Sequence, residues 1–280
     1  MESMLESKVS QERSSEPRDE KSAAEAPIRK IRPVTPRCIF PAFSSVWQYP
    51  IVPPPLTEGV VHLWSASLDL SSDQVESLGA MLSASEQNRS SRLRLPLLRN
   101  RAIVTRATLR LLLGHYLKLA PEAVSLTTSL HGKPELSDDA VLRFNLSHSG
   151  GLAIYALTLK QAIGIDIEQI RPTPYALSIA QRHWTKDEVQ ALEIYAATGE
   201  GNLEAGFLTC WTRKEAWLKA IGMGLHRPMD SFQVSGPGTP PRLLATEEGS
   251  EETRRWWMES FTPAAGYTGT VVVEGQEPHA

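Results

Sequence analysis

The chain has 280 residues and a mass of 30.9 kDa, with 41% apolar and 22% charged residues, enough material for about two domains with buried cores. No stretch approaches the ~20 apolar residues of a membrane-spanning helix, and two cysteines, Cys38 and Cys210, cannot frame a disulfide scaffold. With no secretory signal at the start, the cytoplasm is the expected compartment. The net charge of −3 lies wholly in residues 1–26, which hold seven acids and four bases; the rest of the chain balances at 25 against 25.

That acidic tail has no aromatic residue and is rich in Ser, Glu, Lys and Pro, so it buries too little apolar surface to offset its ordering entropy and is expected to be disordered. A proline-rich stretch follows to Pro53-Pro54-Pro55, an extended segment whose Ile39, Phe40, Phe43 and Trp47 could rest on a domain surface. Residues 1–58 are therefore set apart from a folded unit starting near Gly59. Residues 60–70 alternate as a strand. Ser83 and Glu86 form a capping box that opens a helix expected to end at Pro96. A long helix follows over 99–119, with Ile103, Ala107, Leu111 and Gly114 on one stripe and Arg99, Arg106 and Arg110 on another. Between 86 and 118 eight basic residues face Glu86 alone, a local charge of +7 suited to phosphates or an acidic protein, or to a helix face paired elsewhere in the fold.

Short strands are expected at 124–128, 143–146, 152–159 and 163–167, with a turn at His131-Gly132-Lys133-Pro134. Thr185 and Glu188 make a second capping box, a longer helix spans 204–221, and strands close the chain near 231–234, 255–261 and 268–274. Capped helix, long helix, then strands occur twice in this order. The expectation is an α+β fold of two similar halves, 59–161 and 162–275, with a cleft between them and a tail at 276–280.

Three clusters carry candidate chemistry. In Gly164-Ile165-Asp166-Ile167-Glu168 the period of a strand puts both carboxylates on one face and both isoleucines in the core. Two close carboxylates suit a hard cation such as Mg²⁺; the plainer reading is an exposed strand end. In the run from Trp211 to Lys219, the residues Trp211, Glu215 and Lys219 share one helix face, although a Glu-to-Lys pair four apart is also an ordinary surface ion pair. The run Phe144-Asn145-Leu146-Ser147-His148-Ser149-Gly150-Gly151 lacks the G-x-S-x-G elbow of a serine hydrolase; its turn leaves His148 free to donate to an anion.

Together with Gly132-Lys133-Pro134, these clusters in this order resemble the 4′-phosphopantetheinyl transferases of the Sfp type, over about residues 60–275. The resemblance implies a pseudo-dimer of two similar α+β halves that moves the phosphopantetheine arm of coenzyme A onto a serine of an apo acyl or peptidyl carrier protein, releasing adenosine 3′,5′-bisphosphate. It implies Asp166, Glu168 and Glu215 as Mg²⁺ ligands, and Glu215 as the general base or its positioner. By the same resemblance Lys219 binds the pyrophosphate, His148, Arg89 and Arg101 hold the 3′-phosphate, and Gly132, Lys133 and Pro134 line the adenine through backbone. A monomer with no nucleic-acid or membrane partner is expected, serving fatty-acid, polyketide or nonribosomal-peptide carriers. Some relatives carry a lysine at the place of Glu86 and a hydroxyl at that of Ala102. Two other readings stand beside this one: a catalytically dead binding module for coenzyme A or a carrier, and a metal-dependent 3′-5′ exonuclease built on the D-x-E strand.

Overall fold

Alternation of apolar side chains along four strands builds two sheets that press on one another. The computed structural model describes residues 37–39, 55–137, 141–198 and 202–275; the acidic tail, Phe40, Phe43, Trp47 and residues 276–280 lie outside the described residues. In chain order the strands are β1 (Arg37–Ile39), β2 (Val60–Ser67), β3 (Leu126–Thr128), β4 (Pro134–Leu136), β5 (Leu142–Ser149), β6 (Leu152–Leu159), β7 (Ile163–Gln169), β8 (Phe232–Val234), β9 (Leu243–Thr246), β10 (Trp256–Phe261) and β11 (Tyr267–Glu274). The helices are α1 (Ser72–Gly79), α2 (Ala84–Ser91), α3 (Pro96–Leu117), α4 (Ala176–His183), α5 (Lys186–Thr198), α6 (Leu203–Ile221) and α7 (Ser250–Arg254).

One sheet runs β1-β2-β6-β5 and the other β10-β11-β7, antiparallel except for the β1–β2 pair. Val61, Leu63, Ile154 and Ala156 of the first sheet meet Ile163, Ile165, Ile167, Val271 and Val273 of the second in a shared apolar layer. The residues between them in sequence point outward. Trp64, Tyr155 and Leu157 pack with Val104, Leu109 and Leu113 of α3, while Val272 packs with Ala216, Trp217 and Ala220 of α6. The result is an α+β arrangement of four layers, each sheet covered by its own long helix.

α6 comes closer to its sheet than side chains would allow. A Cβ placed on Gly164 of β7 would lie 2.0 Å from the carbonyl oxygen of Ala216 and 2.3 Å from the amide nitrogen of Ala220. Glycine is therefore required there, and Ala216 and Ala220 are the small residues of the helix that meet it. A buried ion pair fixes the other side of α6. Lys214 Nζ donates to Glu188 Oε1 (2.6 Å) and to the Phe232 carbonyl (2.9 Å), with both charged side chains fully enclosed. Glu188 also closes the α5 capping box, accepting from the Thr185 amide at 2.9 Å.

Both expected capping boxes form, Ser83 with Glu86 and Thr185 with Glu188. Pro96 does not end a helix; it sits in the first turn of α3, where its missing N–H costs nothing. From Val104 to Gly114 every residue of α3 is buried except Arg106, so Arg110 of the basic stripe lies inside the fold rather than on a solvated face. Helices α1, α4 and α7 and strands β1, β4 and β9 add to the expected elements.

Gly164→Ala should lower the unfolding free energy by about 3 kcal/mol, because the new methyl meets backbone rather than a side chain that can swing away. Urea unfolding measures it; a loss below about 0.5 kcal/mol would show that strand and helix can part freely.

Candidate active site

β7 and β5 lie beside each other without a backbone ladder, and side chains from alternate residues of β5 do its work. Asn145 Oδ1 accepts from the buried Ile165 amide (2.9 Å) and Ser149 Oγ from the exposed Gln169 amide (3.1 Å), so strand-edge donors are satisfied across the seam. The same face of β5 orients both carboxylates of β7: Ser147 Oγ donates to Asp166 Oδ1 (2.8 Å) and Ser149 Oγ to Glu168 Oε2 (2.6 Å). Beyond Ser149 the two-residue turn Gly150-Gly151 reverses the chain; Gly150 has a φ of +55°, and a Cβ on it would lie 2.5 Å from Gln169 Oε1.

α6 supplies the opposite wall. Between Cys210 and Ala220 every residue is buried except Trp211, Glu215 and Lys219, the face expected from the helical period. Lys219 Nζ donates to Asp166 Oδ1 (2.7 Å), to Ser147 Oγ (3.1 Å) and to the Ile165 carbonyl (3.1 Å), using all three ammonium protons. The neighbouring charges are structural. Arg213 donates to the carbonyls of Ser235, Gly236 and Thr239, Lys214 is paired with Glu188, and Trp217 is in the core beside Phe232.

The three carboxylates sense one another. Burial pushes Glu215 above the usual carboxylate range, the charge of Asp166 and then of Glu168 adds to it, and Lys219 opposes it. Glu168 is likewise raised, first by burial, with the Ser149 hydrogen bond acting the other way and Asp166 raising it further. Asp166 Oδ2 is buried and has no hydrogen-bond partner, an arrangement expected of an oxygen reserved for a ligand outside the chain.

These groups fit a hard divalent cation: oxygen donors only, carboxylates brought together from two elements, and one orphaned oxygen among them. Among the described residues no group of three or more His, Cys, Asp or Glu side chains stands close enough together to hold a metal ion without rearrangement. Lys219 occupies the other oxygen of Asp166, and serines hold single oxygens of Asp166 and Glu168.

The remaining expected residues divide. His148 keeps an exposed edge near the same charges; partial burial of its ring first, then Lys219 and Arg101, hold its imidazole below the ordinary value, while Asp166 opposes. Arg101 is already in a two-pronged pair with Asp69 (2.7 and 2.8 Å). Arg89 is exposed on α2. Half of the eight basic residues of the arc have structural partners, Arg101 among them. Arg106 and Arg110 bind Glu86 at 3.2 and 2.7 Å, Arg110 also donates to the carbonyls of Pro121 and Val124, and Arg99 donates to that of Leu93. Glu86 thus serves a capping box and two arginines at once. Gly132, Lys133 and Pro134 lie at the β3–β4 turn, where the Lys133 amide donates to Ser129 Oγ, but the side chain of Lys133 points toward α6. Sequence reasoning missed the roles of Asn145, Ser147 and Ser149; their spacing of two along a strand was the available signal.

The model described as 4′-phosphopantetheinyl transferase superfamily matches residues 162–272, and that described as 4′-phosphopantetheinyl transferase, N-terminal, matches residues 64–160. The chain is 34% identical to the 4′-phosphopantetheinyl transferase HetI of Nostoc sp. over 228 residues, covering 80% of this chain and 92% of the relative. It is 33% identical over 135 residues to the 4′-phosphopantetheinyl transferase Sfp of Bacillus subtilis, covering 48% of this chain and 58% of that one. A solved holo-(acyl-carrier-protein) synthase from Bacillus anthracis, in complex with CoA (3′,5′-ADP), is 21% identical and overlaps 41% of this chain and 96% of its own with a TM-score of 0.31. With both halves matched and nearly the full length of a relative covered, the chain belongs to the 4′-phosphopantetheinyl transferase family.

Proposed function

We propose that the protein transfers the 4′-phosphopantetheine arm of coenzyme A to a serine of an apo carrier protein in the cytoplasm, with Mg²⁺. The observation that carries this reading is the meeting of Asp166 and Glu168 on β7 with Glu215 and Lys219 on α6, around the orphaned Asp166 Oδ2. The serine oxygen forms a bond to the phosphorus that bears the pantetheine arm. The pyrophosphate bond on its far side breaks, and adenosine 3′,5′-bisphosphate departs with the bonding electrons.

Asp166, Glu168 and Glu215 would hold Mg²⁺, which when bound polarises the phosphoryl oxygens and offsets their developing charge. Glu215 takes the serine proton or positions the group that takes it, from the open face of α6 beside Lys219. Lys219 stands beside Asp166 with its ammonium at the carboxylate cluster, suited to the pyrophosphate and to the charge growing on the leaving group. His148, with Arg89 and Arg101, would bind the 3′-phosphate, which requires Arg101 to share its guanidinium between Asp69 and the nucleotide. The backbone of Gly132, Lys133 and Pro134 would line the adenine.

Intact mass of an apo carrier incubated with the protein, coenzyme A and Mg²⁺ tests the activity. One phosphopantetheinyl group should be gained and EDTA should abolish the gain; unchanged mass with fatty-acid, polyketide and nonribosomal-peptide carriers alike, while coenzyme A still binds, would leave a binding module. Asp166→Ala should cut turnover at least about 100-fold with the fold retained by circular dichroism, and undiminished turnover would refute the metal assignment. Lys219→Ala should lower kcat by about 100-fold with a smaller effect on KM. A change confined to KM would remove Lys219 from the leaving-group role.

A further inference from the structure

The side chain of Lys133 does something its place in the adenine turn does not require. Its ammonium crosses from the β3–β4 hairpin of the first half to the second, where it donates to the carbonyls of Lys219 (2.7 Å), Ile163 (2.9 Å) and Ala220 (3.5 Å). Two of these belong to the last turn of α6, where the Lys219 carbonyl otherwise accepts only a long bond from the C-cap amide of Gly222 (3.3 Å), and a cation there is also favoured by the helix dipole. The third opens β7. A single side chain therefore joins the expected nucleotide turn, the end of the helix bearing Glu215 and Lys219, and the strand bearing Asp166 and Glu168.

Ala220 packs on β7, but beside it the contact is incomplete. A cavity of about 250 Å³ lies against it, lined among others by Lys133, Arg143, Phe144, Ile163, Ala220 and Gly222. Burial pushes Lys133 down to about 8, with Glu135 opposing and Arg143 adding to the shift, so the ammonium is kept there at a desolvation cost. The Lys133 amide is itself held by Ser129, which fixes the stem of the bridge.

We infer that Lys133 is a positioning residue: its ammonium sets the height of the last turn of α6 and thereby places the Lys219 ammonium against Asp166. This rests on the transferase reading and assigns Lys133 a role through its side chain that is separate from lining the adenine. The carbonyl it grips belongs to Lys219 itself, so the link to the catalytic group is one residue long. A displacement of ~1 Å in a reacting group can cost about 100-fold in rate.

The test is a double-mutant cycle of Lys133→Met and Lys219→Ala, read as single-turnover transfer rate under saturating coenzyme A, with coenzyme A affinity measured by calorimetry. Lys133→Met should slow transfer by about 10- to 100-fold in the otherwise native protein, yet by less than about 3-fold when Lys219 is already alanine, because coupled residues are not additive. Coenzyme A affinity should change by less than about 3-fold. Equal slowing in both backgrounds, or a loss lying wholly in affinity, overturns the proposal. Lys133→Cys in a Cys38→Ser background, alkylated with 2-bromoethylamine to rebuild an ammonium and verified as singly modified by intact mass, should regain most of the rate; failure of the modified protein to do so counts against it equally, since Cys210 is buried. Hydrogen exchange separates this proposal from the function it rests on. Lys133→Met should speed exchange of the Gly222 and Met223 amides, which bond to the last turn of α6, even if no carrier is modified. Unchanged exchange there refutes the bridge whatever the activity.

Discussion

The approach of α6 to β7 at Gly164 is the constraint from which the rest of the site follows. Only a residue without a side chain lets the carbonyl of Ala216 and the amide of Ala220 come so near the strand. Once they do, the face of α6 one residue back, Glu215 and Lys219, is delivered to Asp166, two residues further along the strand on the same side. The period of the helix and the period of the strand meet at one point, and Lys219 bonds to Asp166 because of it. Enclosure then does the chemical tuning: the same closeness that packs the helix desolvates Glu215 and sets it among other carboxylates.

The seam between β5 and β7 is the second device. Asn145 and Ser149 satisfy strand amides, while Ser147 and Ser149 hold carboxylate oxygens. One row of small polar residues thus closes the strand edge and orients the acids. Exposing the seam would strand buried donors and loosen the site together.

Features set by local periodicity or capping were legible in the sequence. Ile165 and Ile167 are fully buried and Asp166 and Glu168 face away from them; the face formed by Trp211, Glu215 and Lys219 is the open one. Elements with little apolar signature were not legible. Within α1 only Val75 is buried, and within α4 only Ala176 and Ala180. Long-range pairing was equally hidden. Nothing near Lys214 announces Glu188, 26 residues away in sequence, and nothing near Lys133 announces the end of α6. The basic arc over 86–118 illustrates the same limit. Density of charge was visible, whereas the use of Arg106 and Arg110 to hold Glu86 depended on the fold.

The proposed transfer requires β7 and α6 to hold a cation together at the pyrophosphate. A crystal of the protein with coenzyme A and Mn²⁺ in place of Mg²⁺, examined for anomalous scattering, addresses it most directly. The account predicts one Mn²⁺ peak bound by Asp166, Glu168 and Glu215 and shared with the pyrophosphate, with Asp166 Oδ2 among the ligands. Mn²⁺ held by the nucleotide alone, or by residues away from β7 and α6, would contradict it.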